Sequence, residues 1–334
     1  MDDPHSRRRF RPYWSPRGLP PKRVDFTQHR KTLQSRSPGY DHVVSNTNLG
    51  RDNAGSTSSD PDLVDRVQAW HTQTAILRAS TFRAMGQHAW ALLTPEWPLS
   101  YAHNGILIRR DPGAAQLIDW ADEYLGGAGL DHRYVMAMCE LGDHTRAELE
   151  SAGFTLQPEL HMARGLPGEP LSTYPDVAVE LVDESTVRQL ERRMWREEYL
   201  PGCDAEAVRQ LTGRRDTYPQ SGEFLSYAVR DPELDDPVSA DLVSYLDLCV
   251  RDSVAEIDGV ATLSSHRGRS YGDAMLAAAI AASIERGCGY AILTALADDW
   301  PRHWYERRGF APVGQTWVAT KVLTDAVASD HQSE

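Results

Sequence analysis

The sequence predicts an α/β protein built from two similar units, and three observations carry that reading. At 334 residues the chain exceeds one typical core, and its apolar and aromatic content is enough for two. Segments with helical periodicity alternate with short β-like runs from about residue 60 onward. A stretch late in each half repeats: "AELESAGFTLQPELHMAR" superposes on "RHWYERRGFAPVGQTWVAT", with Gly153-Phe154 matching Gly309-Phe310 at an offset of 156 residues.

The elements follow in order. "DLVDRVQAWHTQTAILR" has a helical pattern, "NGILIRR" reads as a strand, and "GAAQLIDWADEYLG" is a helix between glycines. "RYVMAMC" is a strand, "DHTRAELESAG" a helix with Asp at its start and Gly153 as its stop, and "ELHMAR" another strand. The second unit opens with a strand at "VAVELV", helices in "STVRQLERRMWREEYL" and "DAEAVRQLTG", then strands at "EFLSYAVR", "ADLVSYLDLCV" and "SVAEIDGVATL". A basic glycine turn, "SSHRGRSYG", runs into an alanine-rich helix stopped by Gly287. "YAILTAL" is a strand, "DDWPRHWYERRG" a helix with Asp at its start, Pro in its first turn and Gly at its end, and "GQTWVATKV" a closing strand. Where the second unit has "HRGRSYG" the first has "RRDPGAA", and where the second has Tyr305 the first has Leu149. The expected division is therefore a basic tail over 1–59, a degenerate unit over 60–170, a motif-bearing unit over 171–325 and a short tail over 326–334.

Charge sharpens that division. The formal net charge is −13, yet residues 1–59 hold 11 Lys/Arg against 5 Asp/Glu, so the body is more acidic than the total suggests. The tail lacks hydrophobic periodicity and is rich in Arg, Pro, Ser, Gly and Asn, which cannot offset the entropy of ordering, so it reads as disordered. Its "RRRFRPYW" has the composition of a nucleic-acid contact; a solvated tail, or residues ahead of the true start codon, is the simpler account, and no nucleic-acid partner is assigned. No run is apolar enough for a membrane span or a signal peptide, and Cys139, Cys203, Cys249 and Cys288 are scattered, so a reducing cytoplasmic setting is expected. The 12 histidines never pair at i, i+4 around a carboxylate, so no metal is expected; His266 and His303 read as surface or packing residues. "PLSYAHNG" reads as a turn before a strand.

The basic glycine turn is the most informative stretch. The first amides of a helix have no partner within it and the helix dipole is positive there, so a glycine turn at that end suits an anion, usually a phosphate. The residues Arg267, Gly268, Arg269, Ser270, Tyr271 and Gly272, followed by Tyr305, Gly309 and Phe310, resemble the GNAT superfamily of acetyl-CoA-dependent N-acetyltransferases, over about residues 175–323. Two positions depart from the pattern: Ser270 stands at the first motif glycine, and Asp298 stands where many members have Asn.

The resemblance implies two GNAT-like units, each a mixed, largely antiparallel sheet flanked by helices. It implies acetyl-CoA as acyl donor and no metal, with the 268–272 amides on the pyrophosphate and Arg267 beside them. The edge of Val260, Ala261 and Thr262 would pair with the pantetheine. It also implies Glu256 as general base, with Asp258 in reserve, and Tyr305 as general acid toward the leaving thiolate. The acceptor would be a primary amine, either a small molecule or a lysine side chain, which the acidic body suits. Glu197, Glu198 and Tyr199 are the places where it would border the cleft. The alternative is a protein that binds acyl-CoA without turnover.

Overall fold

In the computed structural model, residues 61–231, 233 and 241–323 are described. The tails expected over 1–59 and 326–334 lie outside the described residues. The first half comprises α1 (Pro61–Arg78), β1 (Thr81–Ala84), β2 (Ala89–Leu93), β3 (Gly105–Ile108), α2 (Ala114–Trp120), β4 (His132–Ala137), α3 (Asp143–Ser151) and β5 (Thr155–Gly165). The second comprises β6 (Glu180–Val182), α4 (Glu184–Met194), α5 (Ala205–Gly213), β7 (Glu223–Arg230), β8 (Leu242–Arg251), β9 (Val254–Thr262), α6 (Tyr271–Glu285), β10 (Tyr290–Leu296), α7 (Trp300–Glu306) and β11 (Ala311–Val322).

Local chemistry sets several boundaries. Asp183, Asp204 and Asp299 accept hydrogen bonds from Thr186 N, Ala207 N and Trp300 N at the starts of α4, α5 and α7. Gly153 and Gly309, both with positive φ, end α3 and α7 at equivalent points of the repeat. Strands β1 and β2 were absent from the sequence reading: β1 is a short edge strand, and the "AWALL" of β2 is buried on nearly all sides, so it shows no alternation.

All eleven strands form one mixed sheet in the order β1-β2-β3-β4-β11-β5-β10-β9-β8-β7-β6. The halves exchange their last strands. β5, from the first half, pairs antiparallel with β10 from Tyr290↔Gly165 to Leu296↔Glu159, and β11, from the second, pairs antiparallel with β4 from Trp317↔Ala137 to Val322↔His132. Between them β5 and β11 pair antiparallel from Ala311↔Ala163 to Thr320↔Thr155, with a bulge between Pro312 and Gly314. The sequence repeat thus becomes an approximate two-fold whose axis passes between the two exchanged strands.

Helices cover both faces. Leu63, Val67 and Trp70 of α1 pack on Ala163, Cys249, Val254 and Ile292, while its Ile76 packs with Trp90, Leu92 and Leu107, so α1 spans both halves. Met275, Leu276, Ala279 and Ile280 of α6 belong to the main core of the second half. Each large apolar side chain so buried contributes roughly 1.5–3 kcal/mol.

Two buried ion clusters fix the layers. Fully buried Arg215 donates to both carboxylate oxygens of Asp247 at 2.7 and 2.9 Å and to Glu184 at 2.6 and 3.0 Å, tying α4 and the 3₁₀ turn Arg214–Ser221 to β8. On α1, His71 Nδ1 lies 3.2 Å from Glu256 Oε1 and Arg78 Nη2 lies 3.5 Å from Glu256 Oε2. Burial raises the Glu256 carboxyl, but the His71 hydrogen bond and the charge of Arg78 outweigh it and leave it below the usual glutamate value.

Removing residues 60–166 takes away α1, β4 and β5, leaving β10 unpaired on one side, β11 without either of its partners and the Cys249–Ile292 surface bare. Such a chain is expected to aggregate; a soluble monomer on size-exclusion chromatography would contradict this account. Because the folded Glu256 carboxyl sits below its unfolded value, its contribution is present above the unfolded value and is lost as pH falls through the folded one. Glu256→Gln should therefore be less stable than wild type at pH 7, with the gap narrowing under acid. Denaturant curves showing a gap independent of pH would exclude this linkage.

Candidate functional site

The site begins where two strands part. β9 and β10 pair in parallel only from Tyr290↔Val254 to Ile292↔Glu256, although β9 runs to Thr262 and β10 to Leu296. The parting is built into β9 by a register shift against β8 between Asp247↔Asp258 and Tyr245↔Ala261. Gly259 sits in that shift at φ +58°, and a Cβ there would lie 2.8 Å from Asp247 Oδ2 and 3.0 Å from Tyr245 Cε2, so the bulge needs glycine. Val260, Ala261 and Thr262 line the resulting opening. The Ala261 carbonyl accepts from Ser244 Oγ at 2.8 Å and the Thr262 carbonyl from Arg267 Nε at 3.2 Å.

The basic turn follows directly. Gly268 has φ +79° and Ser270, at the N-cap of α6, φ +59° and ψ +16°. Ser270 thus takes the left-handed conformation that costs a non-glycine residue roughly 1–2 kcal/mol, and its hydroxyl makes no capping bond. The amides of the first turn of α6 have no acceptor within the helix and meet the same opening, which Gly268, Ser270 and Gly272 line. Glu198 steadies the turn, accepting from Ser264 N at 2.8 Å and from Arg267 Nη2 at 3.3 Å; Asp231 does the same for His266 and Arg269 at 3.2 and 3.4 Å.

The equivalent place in the first half is closed. β3 and β4 stay paired through Ile108↔Ala137, and Met138 N extends the ladder by donating to Ile108 O at 2.8 Å. The turn carries its own anion: Asp111 accepts from Gly113 N at 2.8 Å and from Gly142 N at 2.9 Å.

Behind the opening lies a cavity of about 690 Å³ that Glu256, Asp258 and Tyr305 all line. Arg78 is lodged between the two carboxylates, 3.6 Å from Asp258 Oδ2, with its guanidinium 4.4 Å from the centroid of the Tyr218 ring. Burial lowers Arg78, but the charges of Glu256 and Asp258 outweigh it and raise it above the usual arginine value. Tyr305 is 9% exposed and its ring sits edge-on to Trp304 and Phe310. Burial first, then the charge of Asp258, raises its phenol well above the usual value, so the hydroxyl keeps its proton at neutral pH.

Other expected residues fall in different places. Tyr199 lines the cavity and donates to Met194 Sδ at 3.3 Å, Glu198 holds the turn, and Glu197 is exposed with Arg193. Asp298 is exposed outside the cavity, while its neighbour Asp299 caps α7. His266 is buried and His303 exposed against Glu306. Asn104 closes the "PLSYAHNG" turn by accepting from Thr94 N and donating to Trp97 O and Ser100 O. No group of three metal-ligating side chains occurs among the described residues, and no described helix is long and apolar enough to cross a membrane.

Sequence reasoning missed the cavity wall that comes from the first half. His71 and Arg78 of α1 and Glu159 and His161 of β5 all line it, as does Glu191 of α4. Arg78 meets Glu256 across 178 positions of chain, and only the period of α1, with Trp70, His71, Thr74 and Arg78 on one side, hints that these residues act together.

The model of the acetyltransferase (GNAT) family matches residues 185–310. No curated protein matches the chain. Among solved structures, a conserved protein of unknown function from Staphylococcus epidermidis aligns with a TM-score of 0.57 at 15% identity, over 72% of this chain and 94% of that one. A GCN5-related N-acetyltransferase from Kribbella flavida aligns at 0.51 and 19% identity, over 79% and 97%. A Drosophila protein aligns at 0.50 and 10% identity, over 80% and 92%. At these identities the structures speak for the fold, while the family match covers the parting strands, the basic turn and α6 together. Residues 185–310 therefore match the GNAT acetyltransferase family, and the chain has a GNAT-type α/β fold.

Proposed function

We propose that this chain is an acyltransferase that moves an acetyl group from acetyl-CoA to a primary amine. The observation that carries the reading is the opening between β9 and β10, which ends on the amides of the 268–272 turn and leads inward to Glu256 and Tyr305. Its residues fit such a donor. The left-handed Gly268 and Ser270 line the opening at the start of α6, where backbone amides would hold a pyrophosphate as anions are held at helix starts, with Arg267 adding charge. The edge of Val260, Ala261 and Thr262 lacks a neighbouring strand on the β10 side, as backbone pairing with pantetheine amides would require.

The thioester supplies an activated acyl group; the chain supplies proton handling. An amine arrives as an ammonium and must lose a proton before its nitrogen is nucleophilic, and the Glu256 carboxylate is the anionic group at hand, directly or through an intermediary. Tyr305, protonated and lining the same cavity, would donate to the departing thiolate. At the acceptor side Glu191 Oε2 is buried without a hydrogen-bond partner, and with Asp258 it suits a cationic amine, either a small molecule or a lysine side chain. Closure of the first-half turn by Asp111 supports one donor per chain.

A second reading, a protein that holds acyl-CoA without turnover, is favoured by Arg78, which engages Glu256 and Asp258 at once. Amine-dependent release of thiol from acetyl-CoA, assayed over an amine panel, separates the two: a binder shows thermal stabilisation by CoA and no amine-dependent thiol.

Gly272→Glu adds bulk and negative charge where backbone would approach phosphate. Calorimetry should give one CoA per wild-type chain and none for the folded variant; two equivalent wild-type sites, or unchanged affinity in the variant, would refute the assignment. Tyr305→Phe removes a single hydroxyl from a packed ring. A general acid predicts a kcat loss on the order of tenfold to ten-thousandfold with donor affinity kept, whereas turnover near wild type would reduce Tyr305 to packing.

A further inference from the structure

The immediate partner of Glu256 is a histidine from the far end of the chain. His71 Nδ1 lies 3.2 Å from Glu256 Oε1. An ionised carboxylate only accepts hydrogen bonds, so the proton of a neutral His71 ring resides on Nδ1 and the lone pair on Nε2. Nε2 is buried and has no hydrogen-bond partner, although His71 lines the cavity. A buried ring nitrogen left without a partner is uncommon, and here it belongs to a ring fixed on three sides. Trp70 meets it edge-on at 5.6 Å, His161 lies across it at 4.3 Å, and Glu256 holds Nδ1.

Glu256 itself is poorly disposed to take a proton from an ammonium directly. Oε1 is engaged by His71 and Oε2 by Arg78. A carboxylate held below its usual value is a weak base. The other charged groups around the pair are Arg251 on β8, Asp258 on β9 and Glu159 on β5; His161, which faces His71, is kept neutral by burial.

We propose that His71 Nε2 is the atom that receives the acceptor's proton, with Glu256 as the positioning residue that sets its tautomer and stabilises the imidazolium. The inference rests on the acyl-transfer reading of this cavity. One N–H bond of the substrate ammonium breaks, its electron pair stays on the amine nitrogen, and one H–Nε2 bond forms. The proton then passes to solvent, restoring the neutral ring. The arrangement couples the halves chemically: the base comes from α1, the carboxylate from β9, and the ring against which the base is held from β5.

Two measurements test this. Nitrogen-15 NMR of the ligand-free protein should show the His71 ring with its proton on Nδ1 and a bare Nε2, and Glu256→Gln should shift that tautomer balance. A wild-type ring protonated on Nε2 alone would overturn the proposal without reference to activity. In the thiol-release assay, His71→Gln and His71→Ala, checked for folding by circular dichroism, should lose about 10²- to 10⁴-fold in kcat while keeping donor affinity. Added free imidazole should restore part of the His71→Ala rate in proportion to its unprotonated form. Folded variants within about threefold of wild type, or a loss that imidazole never restores, would overturn the role of His71 and leave acyl transfer standing. A wild-type protein that releases no amine-dependent thiol over the whole panel would sink the acyl-transfer reading, and this proposal with it.

Discussion

The antiparallel pair of β5 and β11 is the contact on which the rest of the molecule depends. Each strand closes a half to which it does not belong in sequence: β5 completes the second half beside β10, and β11 completes the first beside β4. The ladder at the centre of the sheet is therefore both the interface between halves and the heart of each half's own core. Neither half offers a complete sheet alone. The register of this pair also determines where Glu159, His161 and Thr316 stand in the cavity, since Glu159↔Thr316 and His161↔Gly314 are partners across it.

Around this axis the same architecture has been used in two ways. In the second half a glycine bulge turns β9 away from β10, and the gap is prolonged by a turn with two left-handed residues at the start of α6. In the first half the corresponding strands stay zipped and the carboxylate of Asp111 occupies the turn amides. The contrast is physical: backbone donors near a helix start favour an anion, and in the first half the Asp111 side chain supplies it. The first half keeps a different role, since its α1 and β5 form one wall of the cavity opened by the second.

Charge is concentrated on both sides of the cavity. Arg78 of that wall meets Glu256 and Asp258, with His71 against Glu256, and within the second half Arg215 meets Asp247, Glu184 and Glu191, with Tyr245 donating to Glu191 at 3.0 Å. Buried charges are costly unless paired, so these clusters hold elements in specific places more than they add stability. Arg215 fixes the turn that presents Tyr218, and Tyr218 in turn receives the Arg78 guanidinium on its face. The left-handed Ser270 stands in a turn that Glu198 and Asp231 hold and that lines the same cavity.

What the sequence determined by itself was local. Asp at the start and Gly at the end gave α3 and α7, although α3 is preceded by Gly142 and has no side-chain cap, while helical pattern gave α4 and α5, strand-like runs gave most strands, and the 156-residue repeat announced two copies of one plan, because these features depend on neighbours a few positions away. The basic turn and the Tyr-x-x-x-Gly-Phe element were legible for the same reason. The very short edge strand β1 and the uniformly apolar β2 were not, since neither presents a period. Only the tertiary structure decided that the copies trade their last strands, that α1 crosses to the second half, and that His71 and Arg78 meet Glu256. Those outcomes depend on which edge a strand joins and which face a helix covers, and such choices are made by burial and charge pairing between residues far apart in the chain, where no local pattern records them.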